Sequence, residues 1–337
     1  DQIVTSSAWP SITLGIDQTR LGRPSKDIRV QLIGSATPAA DGSSPVVSVR
    51  LGQRVIATIK TGASGSFNQW VDLPNNALSR YNELVVTLER GDVREGCGNG
   101  TRGSLSVSAA GEVRSTEADE PLPAGLGSMP QALMPRTQVA WTKGDVPDVA
   151  RAVSLMTTMQ RLSTVPIGVD VVSMSDVSSS TQPAVVIAAD GSGLPGGLSL
   201  PVTQKSGTIT VRSASGATSK VTLSPQVEFG SLQVIRADGR SVLVATSTDD
   251  ATDLDDLLRW FSDTDNASGA SGDAALKIAG RDPITVDAGD HSEASTGHPL
   301  AWLIVVCVLL DAVILVLIVA AAVKLVARRH RGDDSER

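Results

Sequence analysis

The sequence predicts a jelly-roll-like β-sandwich domain, then a flavodoxin-like α/β domain, then one C-terminal transmembrane helix. Three observations predict this order. Short segments of alternating apolar residues fill residues 1–115, apolar segments alternate with helical periodicity in 137–288, and an apolar run occupies 299–323. These three patterns indicate half-buried strands, amphipathic helices packed on a sheet, and a membrane span.

Residues 1–115 are predicted to form antiparallel strands. The segments "DIRVQLIG" and "NELVVTLER" both alternate apolar and polar residues, as a strand with one buried face requires. The apolar residues that share a face are Ile28, Val30 and Leu32 in the first segment and Leu84, Val86 and Leu88 in the second. Gly, Ser and Asn separate such segments, which favours a sandwich of two antiparallel sheets.

Residues 116–136 contain four prolines and two glycines and are predicted to link two domains. In 137–288 the pattern changes. Asp145 suits an N-cap and Pro147 suits a first helical turn, so a helix is expected to begin there. Apolar strands are predicted at 166–173 and 184–189, and alternation of strands with helices favours a mainly parallel sheet covered on both faces.

The segment 299–323 is apolar apart from Asp311 and is long enough to cross a hydrocarbon core of about 30 Å. Residues 324–337 are rich in Lys and Arg, whereas the stalk at 289–298 is polar and contains acidic residues. The positive-inside rule therefore predicts a single-pass protein of the cell membrane with a cytoplasmic tail and with its domains outside the cytoplasm.

Composition and charge exclude several functions. The formal net charge is −7, and no cluster of Lys and Arg outside the tail predicts binding of nucleic acid. The three histidines, His291, His298 and His330, lie beside the apolar segment or in the tail. Neither domain therefore supplies a histidine base for Ser-His-Asp or Cys-His catalysis, and we expect no enzyme activity. A hydrolase that uses a pair of carboxylates remains an open alternative.

The stretch "VVIAADGSGLPGG" contains the glycine spacing of a dinucleotide-binding turn, Gly191-x-Gly193-x-x-Gly196. That turn must open a helix whose N-terminus faces the pyrophosphate. Here Pro195 lies inside the motif and no helical periodicity follows it. We therefore interpret the stretch as the end of a strand and its exit loop, and we expect no cofactor.

Five aspartates lie between residues 249 and 256, at the start of a predicted helix. No calcium-loop pattern is present, and acidic residues are favoured at helix N-termini, so no metal site is expected. Within the apolar segment, Cys307 and Asp311 share a helix face at a spacing of four, and an ionisable residue at this depth usually faces protein or water. We predict that this face binds a partner; the alternative is that Asp311 is a tolerated residue of a very apolar helix and has no partner.

The aromatic residues suggest a second site. An exposed aromatic ring can stack on a sugar, and Trp70 and Tyr81 are the candidate carbohydrate contacts of the sandwich, although core packing is the alternative role of each. The remaining cysteine, Cys97, is either free or paired with a segment outside this chain.

The chain resembles the B-type accessory subunits of bacterial cellulose synthase, a family of periplasmic, membrane-anchored proteins. The segment "VVSVRLGQRV" is similar to the family's "V-x-LNG-x-x-V", and "WVDLPNNALSRYNELVVTLE" is similar to its "V-x-(I/L)P-x-x-x-L-x-x-x-N-x-L" segment, which a cysteine also follows. "PAVVIAADGSGLP" is similar to a family strand that ends in "LP", and "HPLAW" is similar to the sequence that precedes its membrane segment. Because the family typically carries two pairs of domains, the chain resembles its C-terminal half.

The resemblance implies a non-catalytic accessory subunit of a cellulose-synthase-like polysaccharide synthase, anchored in the lipid bilayer. Its partner would be a membrane-embedded family 2 glycosyltransferase, against which the C-terminal segment packs, and its external domains would guide the exported β-glucan. The alternative is an adhesion or sensor protein that is anchored at the cell surface and has no synthase partner.

Overall fold

The computed structural model describes residues 2–7, 9–37, 44–89, 103–213, 217–222 and 226–288. The first region contains nine strands in these residues. They are β1 (Gln2–Ser7), β2 (Ser11–Asp17), β3 (Ser25–Ala36), β4 (Val46–Leu51), β5 (Arg54–Lys60), β6 (Ser66–Asp72), β7 (Tyr81–Glu89), β8 (Gly103–Ser108) and β9 (Val113–Glu117).

These strands form two antiparallel sheets that enclose one core. The five-stranded sheet has the order β1-β8-β3-β6, with β9 also paired to β3, and the four-stranded sheet has the order β2-β7-β4-β5. Alternation explains the packing, since every second residue of β3 and β7 points inward. The inward residues of both sheets are buried in a common cluster that includes Ile28, Val30, Leu32, Leu84, Val86 and Leu88.

The second region contains ten strands and four α-helices in the described residues. The strands are β10 (Arg136–Trp141), β11 (Gly168–Val171), β12 (Ala184–Ala188), β13 (Val202–Lys205), β14 (Thr208–Arg212), β15 (Thr218–Thr222), β16 (Gly230–Ala237), β17 (Arg240–Ser247), β18 (Ala274–Lys277) and β19 (Ile284–Val286). The helices are α1 (Val146–Arg161), α2 (Met174–Ser179), α3 (Thr252–Phe261) and α4 (Thr264–Gly269).

The main sheet of this region is mixed. Its order is β11-β10-β12-β17-β16-β18-β19, and only the first four of these strands run parallel to one another. The remaining pairs are antiparallel, and β13, β14 and β15 form a separate antiparallel sheet. Residues of α1, α3 and α4 cover one face of the main sheet, whereas α2 contributes to a smaller cluster with residues from the other face.

The predicted fold class is therefore wrong, because the second region is not a flavodoxin-like, mainly parallel domain. Two tight turns explain the difference. Asp238 and Gly239 both have positive φ and connect β16 to β17 as a hairpin, and Ser206 and Gly207 do the same between β13 and β14. A hairpin makes its two strands antiparallel. At these two positions the chain therefore forms a second strand directly, whereas a doubly wound fold would have a crossover helix between two parallel strands.

The predicted transmembrane helix at 299–323 lies outside the described residues, as do the stalk at 289–298 and the tail at 324–337. Among the residues that the structure describes, no helix is long and apolar enough to cross a membrane.

The segment 116–136, predicted to be a linker, is packed between the two regions. Leu126, Met129 and Leu133 are buried in the core of the second region, and Leu122 packs against that of the first. Gln18 of the first region and the Gln131 side chain both donate to the Leu122 carbonyl, at 2.9 and 2.8 Å. These contacts hold the two regions together through buried backbone and side chains.

Candidate functional site

Trp70 lies on β6 and faces away from the core of the sandwich. On this strand Phe67 and Val71 are buried, and Asn68 and Asp72, which alternate with them, are exposed. Because successive side chains of a strand point to opposite faces, Trp70 shares the outward face with Asn68 and Asp72. Its ring is half-buried against the polar side chains of this face.

The neighbouring strand β3 supplies the next part of this face. Gln31 is paired with Trp70 in the ladder and donates a hydrogen bond of 2.9 Å to the Asn68 side chain. Arg29 is paired with Asp72, and their side chains form an ion pair. The Arg29 guanidinium carbon lies 5.8 Å from the centroid of the Trp70 ring.

The third part comes from the start of β9, which pairs with β3 on the side away from β6. The Arg114 guanidinium carbon lies 4.6 Å from the centroid of the Trp70 ring, within the range of a cation–π contact. The Glu112 carboxylate accepts hydrogen bonds of 3.2 and 2.8 Å from the same guanidinium. We call this outward surface the Trp70 face; its residues are Arg29, Gln31, Asn68, Trp70, Asp72, Glu112 and Arg114.

The composition of the Trp70 face suits an uncharged polar ligand with one apolar side. Two guanidinium groups are matched by two carboxylates, so the face carries no excess charge. A sugar ring presents C–H groups on its flat side and hydroxyl groups at its rim. An aromatic ring can pack against the C–H groups, while carboxylates, amides and guanidinium groups can hydrogen bond to the hydroxyls.

Tyr81, the second candidate carbohydrate contact, lies on β7 in the other sheet and is 53% exposed. It points outward, opposite in direction to its buried neighbour Asn82. A Cβ atom added to Gly15 of β2 would lie 1.9 Å from the Tyr81 hydroxyl oxygen, so the ring rests against this glycine. The two sheets enclose the core between them, so Trp70 and Tyr81 lie on opposite outer faces of the sandwich and cannot contact one sugar residue together.

The other predicted site residues are not described. Cys307 and Asp311, predicted to face a membrane partner, lie outside the described residues, as do Cys97 and the three histidines. Among the residues that the structure does describe, no group of His, Cys, Asp and Glu could hold a metal ion.

The glycine-rich loop follows β12 directly, at the end of the parallel part of the main sheet. Gly191 and Gly193 have φ of +73° and +72°, which favours glycine at both positions. Asp190 forms an ion pair of 2.9 Å with Lys143, which lies just beyond β10. Hydrogen bonding to Lys143 and Ser192 lowers the pKa of the Asp190 carboxyl. No helix begins between this loop and β13, so the helix N-terminus that a dinucleotide site needs is missing here.

The aspartates near α3 serve two roles that the sequence did not separate. Asp250 accepts a hydrogen bond from the Thr252 backbone, which lowers the pKa of its carboxyl and satisfies a donor of the first turn. Asp255 accepts hydrogen bonds of 2.6 and 2.9 Å from Arg151 of α1, which also donates to the buried Asp148. This cluster ties α1 to α3, and the carboxylates raise the pKa of Arg151.

Sequence reasoning named Trp70 as a candidate contact but did not name the residues that surround it. The alternation in "DIRVQLIG" already placed Arg29 and Gln31 opposite the buried residues of β3, so their outward position was available. Glu112 and Arg114 could not be found in the same way. The strand β9 is only five residues long and has no buried apolar residue, so no alternation marks it.

No protein-family model and no curated protein matches this chain. Among solved structures, the chain is similar to an active-site mutant of a family two carbohydrate esterase from Clostridium thermocellum in complex with celluohexase, at 8% identity and a TM-score of 0.19, over 57% of this chain and 63% of that one. It is also similar to the Glycosylation Associate Protein (Gap123) complex from Streptococcus agalactiae, at 9% identity and a TM-score of 0.19, over 56% and 63%. The chain thus spans less than two thirds of both structures, and TM-scores this low do not establish a common fold.

Proposed function

We propose that this chain is a non-catalytic, membrane-anchored accessory subunit of a cellulose-synthase-like polysaccharide synthase, and that its Trp70 face contacts the exported glucan. The observation that carries the proposal is the half-buried ring of Trp70, framed by side chains of three strands that can hydrogen bond to hydroxyl groups. A surface of this kind suits a chain of uncharged sugars, which has both apolar and hydroxyl-bearing sides.

The membrane part of the proposal is supported by the sequence. The apolar run at 299–323 is followed by basic residues, and Cys307 and Asp311 lie one helical turn apart within it. We propose that this pair faces a membrane-embedded family 2 glycosyltransferase. The resemblance to the B-type accessory subunits of cellulose synthase supports the same partner.

Isolation of the full chain from its native membrane in a mild detergent tests the partnership. We expect a multi-span glycosyltransferase to co-purify, and we expect Asp311→Leu to reduce its recovery because the carboxyl group is lost from the shared face. Isolation of the unaltered chain alone would contradict the proposal and favour an adhesion or sensor protein. Recovery that Asp311→Leu leaves unchanged would remove Asp311 from the interface.

Polymer production in cells tests the contact with the glucan. We expect Trp70→Ala to lower the amount of polymer exported without lowering the amount of protein in the membrane. Trp9→Ala is the matched control, because Trp9 is 49% exposed and lies outside the strands. Equal export by the two variants would show that Trp70 has no specific role in export.

A further inference from the structure

Arg114 contacts the Trp70 ring, which is the ring against which the proposed function places the glucan. Its guanidinium carbon is 4.6 Å from the Trp70 centroid, whereas that of Arg29 is 5.8 Å away. Both guanidinium groups are within the range of a cation–π contact, and that of Arg114 is the closer of the two. A sugar ring that packs on the side covered by Arg114 must therefore displace it.

The Arg114 side chain extends across one strand of the sheet to reach Trp70. Arg114 belongs to β9 and Trp70 to β6, and β3 lies between these strands. At the far end of its side chain, Arg114 is held by Glu112, which lies two residues earlier and accepts both hydrogen bonds through one carboxylate oxygen. Both side chains are largely exposed, at 66% and 59%, so water and salt reach this ion pair.

We propose that Arg114, held by Glu112, is a displaceable cover of Trp70 that lowers the affinity of the Trp70 face for glucan. This inference rests on the proposed glucan contact. The cover consists of one exposed ion pair and one exposed cation–π contact, each of which is weak. Displacing it is therefore possible for a ligand that gains ring stacking in exchange, but the displacement reduces the net affinity. Salt weakens the ion pair that holds Arg114 and so makes the cover easier to displace.

The test is titration of the full chain in detergent with soluble hydroxyethyl cellulose. We expect Arg114→Ala to bind about fivefold more tightly, which corresponds to about 1 kcal/mol. Glu112→Gln should strengthen binding less, since the guanidinium keeps its contact with the ring. Added salt should strengthen binding by the unaltered chain but not by Arg114→Ala. Arg54→Ala is the matched control, because Arg54 is an exposed arginine on β5 of the other sheet.

Weaker or unchanged binding by Arg114→Ala would overturn the proposal, because Arg114 would then be a ligand contact or irrelevant. Equal binding by Trp70→Ala and the unaltered chain would instead show that the proposed glucan contact is wrong.

Acrylamide quenching tests the cover without a glucan. The difference in fluorescence between a chain with Trp70 and the same chain with Trp70→Phe is the emission of Trp70. We expect Arg114→Ala to increase the quenching of this emission by acrylamide. Unchanged quenching would overturn the cover even if no glucan binds.

Discussion

The two regions of the molecule use their charged groups in opposite ways. On the Trp70 face, Arg114 and Glu112 are mostly exposed, so their ion pair can open when a ligand binds. In the second region, the Arg151 side chain is only 13% exposed and that of Asp148 only 1%, and both are used within the protein. The charged groups of the Trp70 face can therefore rearrange around a ligand, whereas those between α1 and α3 stabilise the fold.

This difference gives a rule for the effects of mutations. Changes to the core and to the buried charges of the second region should lower stability and leave ligand binding by the folded protein intact. Changes to the Trp70 face should alter binding and leave stability nearly unchanged. A core mutation that changes ligand binding by the folded protein, or a mutation of the Trp70 face that lowers stability, would contradict this difference between the two regions.

The largest expected effect comes from the core of the second region. Leu243 lies on β17, which is a central strand of the main sheet, and its side chain is fully buried. We expect Leu243→Ala to lower the free energy of unfolding by about 2–5 kcal/mol, because it removes buried contacts and leaves a cavity. Chemical denaturation measures the loss. Val146→Ala, at a site 81% exposed, should change stability by less than about 0.5 kcal/mol.

A smaller effect is expected from the buried charge. Asp148 accepts a 2.8 Å hydrogen bond from Arg151, which retains its two bonds to Asp255 if Asp148 is removed. We expect Asp148→Ala to lower the free energy of unfolding by about 1–3 kcal/mol. Asp256→Ala is the control, because its ion pair with Arg259 is exposed. Equal losses of stability in the two variants would show that burial does not make the Arg151–Asp148 pair more stabilising than the exposed Arg259–Asp256 pair.

The ion pair at the glycine-rich loop should give a pH-dependent effect. Hydrogen bonding to Lys143 and Ser192 lowers the pKa of Asp190 below its ordinary value of 3.8. A carboxyl group whose pKa is lower in the folded chain than in the unfolded chain stabilises the fold at pH values above its unfolded-state pKa. This stabilisation is lost as the pH falls through the folded-state pKa. We expect the stability difference between the unaltered chain and Asp190→Asn to be present near neutral pH and to shrink below about pH 4. A difference that grows in acid would contradict this account.

The smallest effect is expected on the other outer face of the sandwich. A Cβ atom at Gly15 would meet the end of the Tyr81 side chain, which can rotate away. We expect Gly15→Ala to move the Tyr81 ring, to change the free energy of unfolding by less than about 1 kcal/mol, and to leave glucan binding unchanged. Loss of glucan binding would show that this face, rather than the Trp70 face, carries the ligand.

Sequence patterns predicted local structure best where one physical cause dominates. The alternation around Ile28 and Leu84 marked real strands, because a half-buried strand must alternate. The N-cap at Asp145 is confirmed, since its side chain accepts a 3.1 Å hydrogen bond from the Asp148 backbone. A cap depends only on neighbouring residues, so the sequence is sufficient to find it.

The errors arose where distant contacts decide the structure. In α1 the helical spacing of the apolar residues from Val149 to Met159 would place Val153 on the buried face, but this residue is 60% exposed, and Leu155 faces the core instead. No local pattern indicates that Arg114 reaches Trp70 across β3, because only the pairing of β9 with β3 brings them together.

The mixed sheet is a different kind of error. The Asp238–Gly239 pair is a local hairpin signal that the sequence carries, and the hairpin that it forms makes the sheet mixed instead of parallel.

The most direct test of the central claim is a paired titration of Trp70→Ala and Tyr81→Ala with soluble hydroxyethyl cellulose, with the full chain in detergent. Both variants remove an outward aromatic ring from the same sandwich, but from opposite faces. We expect Trp70→Ala to weaken binding about tenfold, which corresponds to about 1.4 kcal/mol, and Tyr81→Ala to bind like the unaltered chain. Unweakened binding by Trp70→Ala, or a larger loss in Tyr81→Ala, would contradict the assignment of the glucan to the Trp70 face.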